Sequence, residues 1–154
     1  MRFYEISDLG ASRMNEDQRW EYLSGLDEEF LLGGVVLSEW CIFIARDADV
    51  AFVHGAHLAV ILLTVSAIET HLRVEYSGKH ARLVDLIDAS NLSADLKADL
   101  HALRKYRNKW VHVGDPCDDH ALLKSPAETE EELEISASFA VRILRRVIYA
   151  DPWV

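Results

Sequence analysis

Residues 58–72, LAVILLTVSAIETHL, decide how the chain is read. Leu58, Ile61, Leu62, Val65, Ile68 and Leu72 recur at intervals of three and four, which places them on one side of an α-helix, whereas a strand would repeat every second residue. The most apolar part, 58–68, is bounded by His57 and Glu69. It falls short of the roughly 20 residues that span a bilayer, so it is expected as the buried central helix of a bundle, covering 50–76 and stopped by Ser77 and Gly78.

The same spacing extends outward. The stretch VVLSEWCIFI at 35–44 has the β-branched and aromatic content of a strand, but it has no partner strand in the pattern and is expected as a helix over 35–46. Asp47, Ala48 and Asp49 then break the chain, with Asp49 capping the central helix. A short helix follows near 80–89, with Leu83, Leu86 and Ile87 inward. Ser93 starts another, which runs through Leu96, Leu100 and Leu103 to the neighbourhood of His112 and ends at Gly114, Asp115 and Pro116. The last helix is expected over 128–150, with acids in its first turns and Arg142, Arg145 and Arg146 at its end, an order that suits the helix dipole. Before all of these lie a short helix over 15–24 and an irregular link through Gly33 and Gly34. The expected fold is all-α, an up-and-down bundle of four to five main helices over 35–154. Residues 1–34 form an N-terminal extension packed on it, and the closing Asp151, Pro152, Trp153 and Val154 are candidates to fold back on the core.

Composition narrows the function. The 154 residues, half of them apolar, suit one domain, and 26 Asp plus Glu against 16 Lys plus Arg leave a net charge of -10. A protein that wraps a polyanion along its length is usually basic, so that class is excluded. The first residues lack the apolar run of a secretory leader, and no membrane span is expected, so the location expected is cytoplasmic. Cys41 and Cys117 make no disulfide framework. No Gly-rich phosphate loop or Gly-x-Ser-x-Gly elbow occurs, and His54, His57, Glu69 and His71 are spread too far along one helix to share an ion. No metal and no cofactor is therefore expected.

Two residues break the apolar stripes. After Leu96, Leu100 and Leu103 the next stripe position is Arg107, and after Leu58, Leu62 and Val65 it is Glu69. Charges on the inward side of two helices need partners, so a Glu69–Arg107 ion pair is expected. Arg107 also sits in an unusual window: 101–114 holds Arg104, Lys105, Arg107 and Lys109 without an acid, whereas 115–134 holds eight acids and one lysine. Asn108 and His112 are one turn apart on one face. Arg107 and His112 stand about 140° apart on an ideal helix. They converge only if the arginine reaches around, the helix loosens towards Gly114, or a second copy contributes across a two-fold axis.

The run Arg107-Asn108-Lys109-Trp110-Val111-His112 resembles the Arg-x4-to-6-His signature of the HEPN superfamily, with the polar residue that often follows the arginine present as Asn108. The setting is similar too: an apolar helix carrying Glu69, a short helix, the motif helix and a closing helix. The resemblance implies a helical bundle acting as a homodimer and a metal-independent endoribonuclease in which the ribose 2′-hydroxyl attacks phosphorus and leaves a 2′,3′-cyclic phosphate. In that chemistry His112 is the general base or acid, Arg107 stabilises phosphate charge, Asn108 orients the phosphate or the imidazole, and Glu69 positions Arg107 or tunes His112. Arg104, Lys105 and Lys109 would hold the RNA backbone, with Trp110 and Tyr106 as candidates to stack bases. A toxin or defence role, with an antitoxin-like protein as partner, belongs to the same resemblance. Family members controlled by a nucleotidyltransferase carry a tyrosine two residues after the motif histidine; Gly114 stands there, so that control is not expected. The alternative is a non-catalytic HEPN-like interaction or ligand-binding module, in which Glu69 and Arg107 form a structural pair.

Overall fold

The computed structural model describes residues 13–76 and 80–153, so the opening dozen residues and the Ser77 and Gly78 stop lie outside the described residues. Within them the chain is all-α: α1 (Glu16–Phe30), α2 (Glu39–Val53), α3 (His57–Glu75), α4 (Leu83–Ala89), α5 (Ala94–Val111), α6 (His120–Lys124) and α7 (Pro126–Ile148). Five are long and two short, and among the described residues the sole extended pairing is a bridge between Gly34 and Trp153.

Local chemistry starts these helices. Asn15 and Gln18 form a reciprocal capping box, each side chain accepting from the other's backbone N–H at 2.9 Å, and α1 runs on to Phe30 rather than stopping at 24. Ser38 caps α2 by accepting from the Cys41 N–H, and Ser93 caps α5 as expected by accepting from Leu96. Pro126 opens α7 slightly ahead of the expected 128, a position where its missing N–H costs nothing, and α6 is a short helix inside the expected loop.

The expected break at 47–49 does not occur. The helix passes through those residues and ends at Val53, so 50–76 is two helices rather than one. The cause is Gly55, whose φ of 74° is the left-handed conformation that ends helices. Its N–H donates to the Phe52 carbonyl at 3.1 Å and the next N–H, of Ala56, donates to Ala51 at 2.8 Å, which satisfies carbonyls left open at the end of α2. Asp47 and Asp49 meanwhile serve as acceptors for Arg46 and Arg145.

The core has two parts. The larger gathers Ile61, Val65, Ile68 and Leu72 of α3 with Leu83, Leu86 and Ile87 of α4, Leu96, Leu100 and Leu103 of α5, and Ile143, Leu144 and Val147 of α7. The smaller joins Leu23 and Leu26 of α1 to Phe52, Val53, Val60, Ala137 and Val141. α1 is thus part of the bundle's packing. α3 has the length and apolarity to cross a membrane, but its buried residues pack against α2, α5 and α7, which is the arrangement of a core helix. At the chain end the Trp153 N–H donates to Gly34 at 2.6 Å, and a Cβ on Gly33 would run into the Trp153 carbonyl.

The arginines at the end of α7 do more than complement its dipole. Arg142 forks onto Glu29 of α1 at 2.6 and 3.0 Å, and Arg146 reaches Asp99 of α5 at 2.9 Å. Arg145, 4% exposed, donates to Asp27 of α1 at 2.8 Å and through both terminal nitrogens to Asp49 of α2 at 3.0 Å, while the Tyr149 hydroxyl donates to Asp27. Burial works against the Arg145 charge, but Asp49 and Asp27 outweigh it and hold its pKa above the ordinary value. Arg145→Ala leaves the carboxylates facing each other; because Asp27 is partly exposed, the expected loss is about 3 kcal/mol, the low end for a broken buried pair, measured by chemical denaturation.

Candidate functional site

The basic window occupies the last turns of α5. Leu100 and Leu103 anchor the helix in the core, and Tyr106 and Trp110 pack half-buried against the same core. The Tyr106 hydroxyl is enclosed near Ser136, Glu132 and Trp110, and its pKa is raised, chiefly by burial. Both aromatics therefore contribute to packing, with Trp110 also lining a cleft. Lys109 lies over both rings, 5.4 and 5.7 Å from their centroids, and pairs with Glu132 of α7 at 3.5 Å.

Arg104, Arg107 and Asn108 are half-buried, and Lys105 and His112 are exposed. The helix ends at Val111. His112 caps it with φ -125° and ψ 64°, its N–H still donating to the Asn108 carbonyl at 2.9 Å.

Glu69 does not pair with Arg107. Its carboxylate is taken by Arg73, one turn further along α3, which also donates to the Ala81 carbonyl. A partner on the same helix needs no tertiary approach, and it wins. Among the described residues Arg104, Lys105 and Arg107 carry no ion pair, and the Nε atoms of Arg104 and Arg107 are buried without a hydrogen-bond partner. The contrast with α7, whose three arginines are all paired, is sharp.

Other groups are placed differently from the expected histidine-bearing helix. His54 ends α2 and pairs with Glu16 at 3.0 Å, while His57 begins α3. His57 is 8% exposed, and neither ring nitrogen has a hydrogen-bond partner. Burial lowers its pKa most, with Glu134 and Glu130 opposing that shift and Arg19 and Arg13 adding to it. His71 is lowered by burial, against Glu75 and Asp151. Together with Trp110, His57 lines a cleft of about 470 Å³ between α3, α5, α6 and α7. The sequence signal for it was Gly55 followed by an uncapped helix start. Burial pushes the Cys41 thiol up to about 11, which removes it as a nucleophile, whereas Cys117 is exposed; both are free thiols. Among the described residues no three His, Cys, Asp or Glu side chains stand together as an ion site.

No family model, no curated protein and no solved structure matches this chain.

The lowered histidines set a direction for stability. The unfolded chain takes up protons at about pH 6.5, whereas folded His57 and His71 resist them, so their contribution is complete above that pH and falls away as the pH drops towards the folded values. Denaturation between about pH 8 and pH 5 should show falling stability, and His57→Phe should flatten part of that slope.

Proposed function

We propose that the chain is a HEPN-like, metal-independent endoribonuclease that works as a homodimer in the cytoplasm. The observation that carries this reading is the set of cations on α5 that have no ion-pair partner among the described residues, Arg104, Lys105 and Arg107, beside the exposed His112. In a chain of net charge -10 most arginines find acids, so a half-buried arginine left without one is suited to an anion that arrives from outside.

In this reading Arg107 and Asn108 hold the scissile phosphate. The 2′-oxygen bonds to phosphorus as the bond to the 5′-oxygen breaks, giving a 2′,3′-cyclic phosphate and a 5′-hydroxyl. One His112 takes the 2′-hydroxyl proton, and the same residue of the second copy protonates the leaving oxygen. Arg104 and Lys105 track the backbone, with Lys109 joining them once it leaves Glu132. Glu69, held by Arg73, is not assigned to Arg107 here. The acids of 115–134 would repel the strand and confine it to the motif end of α5.

The test is incubation of the full chain with RNA in excess chelator. Cleavage with cyclic-phosphate ends, abolished in His112→Ala and in Arg107→Ala with folding retained, is the expected result, and binding should weaken steeply with salt. No cleavage by the wild type sinks the enzymatic reading and leaves the non-catalytic module.

A candidate face for self-association lies on α2, which packs on α1, α3 and α7. Trp40 and Phe43 on α2 are 77% and 56% exposed, one turn apart, and with Ile44 and Leu63 they line an apolar groove. Sedimentation should give a dimer for the wild type and a monomer for Trp40→Glu with Phe43→Glu. A monomeric wild type would overturn the composite site.

A further inference from the structure

The cleft beside Trp110 has a polar floor that none of the described residues satisfies. Its deepest polar group is His57, more than nine-tenths buried, with both ring nitrogens unpartnered. Burying an imidazole without hydrogen bonds is costly, and such groups are ordinarily paired in folded proteins. His57 is also the first residue of α3, a helix of 19 residues whose cap position is Ala56, with no side-chain oxygen to offer. The Ala56 N–H is already given to Ala51, but the N–H groups of His57, Leu58 and Ala59 have no carbonyl within the helix to receive them. These residues form one wall of the cleft.

The remaining walls select the ligand. Leu58, Trp110, Leu122 and Leu133 make most of the surface apolar, and a volume of about 470 Å³ suits a small organic molecule. The helix start offers roughly half a positive charge, enough for one negative charge. Glu130 lies in the wall, and Glu134, paired with Arg19 at 3.6 Å, adds negative potential at His57, so a dianion such as phosphate is disfavoured.

We propose that this cleft binds a small monocarboxylate with an apolar body. The carboxylate sits on the free N–H groups of His57, Leu58 and Ala59, with the imidazole N–H of His57 as a further donor. The body packs against Leu58, Trp110, Leu122 and Leu133. Nothing in this site depends on the α5 motif being catalytic, although Trp110 links the two places, so ligand and RNA assays fail or succeed separately.

The test uses the ¹⁵N-labelled full chain titrated with phenylacetate and hexanoate, beside phenylacetamide as a neutral isostere and inorganic phosphate. Saturable shifts of the His57, Leu58 and Ala59 amides and the Trp110 indole, with a rise in Tm, are expected for the carboxylates and not for the controls. Ala56→Asp supplies a carboxylate from the chain itself. It should raise the Tm of the unliganded protein and weaken both carboxylates about tenfold or more. His57→Phe should weaken them while leaving the Leu58 and Ala59 amides as reporters. Absence of shifts with either carboxylate, equal shifts with phenylacetamide or phosphate, or undiminished affinity in Ala56→Asp would each overturn the proposal.

Discussion

The bundle depends on one buried cation. Arg145 is enclosed on α7 and binds Asp27 and Asp49 on two other helices, so three elements far apart in sequence converge on a single guanidinium. A planar fork with several donors suits this better than a lysine ammonium, because Asp49 is met by two nitrogens at once while the third donor remains for Asp27. With Arg142 on Glu29, the same helix face fixes α1, whose apolar contribution to the core is modest. Once α1 and α2 are held in this way, the turn at Gly55 determines where α3 begins.

Two functional features follow from that arrangement. α7 uses its arginines internally, whereas on α5 Arg104, Lys105 and Arg107 have no ion-pair partner among the described residues and Lys109 alone reaches an acid, Glu132, so the electrostatic asymmetry of the molecule reflects which helices have acids opposite them. The start of α3 is exposed to the cleft because the chain leaves α2 through Gly55 and Ala56, neither of which carries a capping oxygen. The half-buried Trp110 sits between the two places: on the motif helix by sequence, and in the wall of the α3 cleft by packing.

Much of the fold was legible because helix formation is local. The three-and-four spacing of Leu96, Leu100 and Leu103, the Ser93 cap and the acid-to-base order of the last helix all act within a turn or two, and each lies where the pattern put it. The break between α2 and α3 was misplaced because Asp47 and Asp49 resemble a helix start when no partner is in view; one of the partners, Arg145, lies 96 residues away. Glu69 was misassigned for the opposite reason. A tertiary partner was sought when Arg73 was already within reach on the same helix.

By itself the sequence determined the all-helical class, the inward faces of the long helices, and the presence of an acid-free basic segment ending in His112, since all of these depend on residues within a few positions of one another. Only the tertiary structure decided which charges are neutralised and which stay free, and that a histidine read as one of a scattered set is buried at the foot of a cleft. Pairing and burial are properties of distance in space, and residues as far apart as Asp27 and Arg145 acquire them only when the chain has folded.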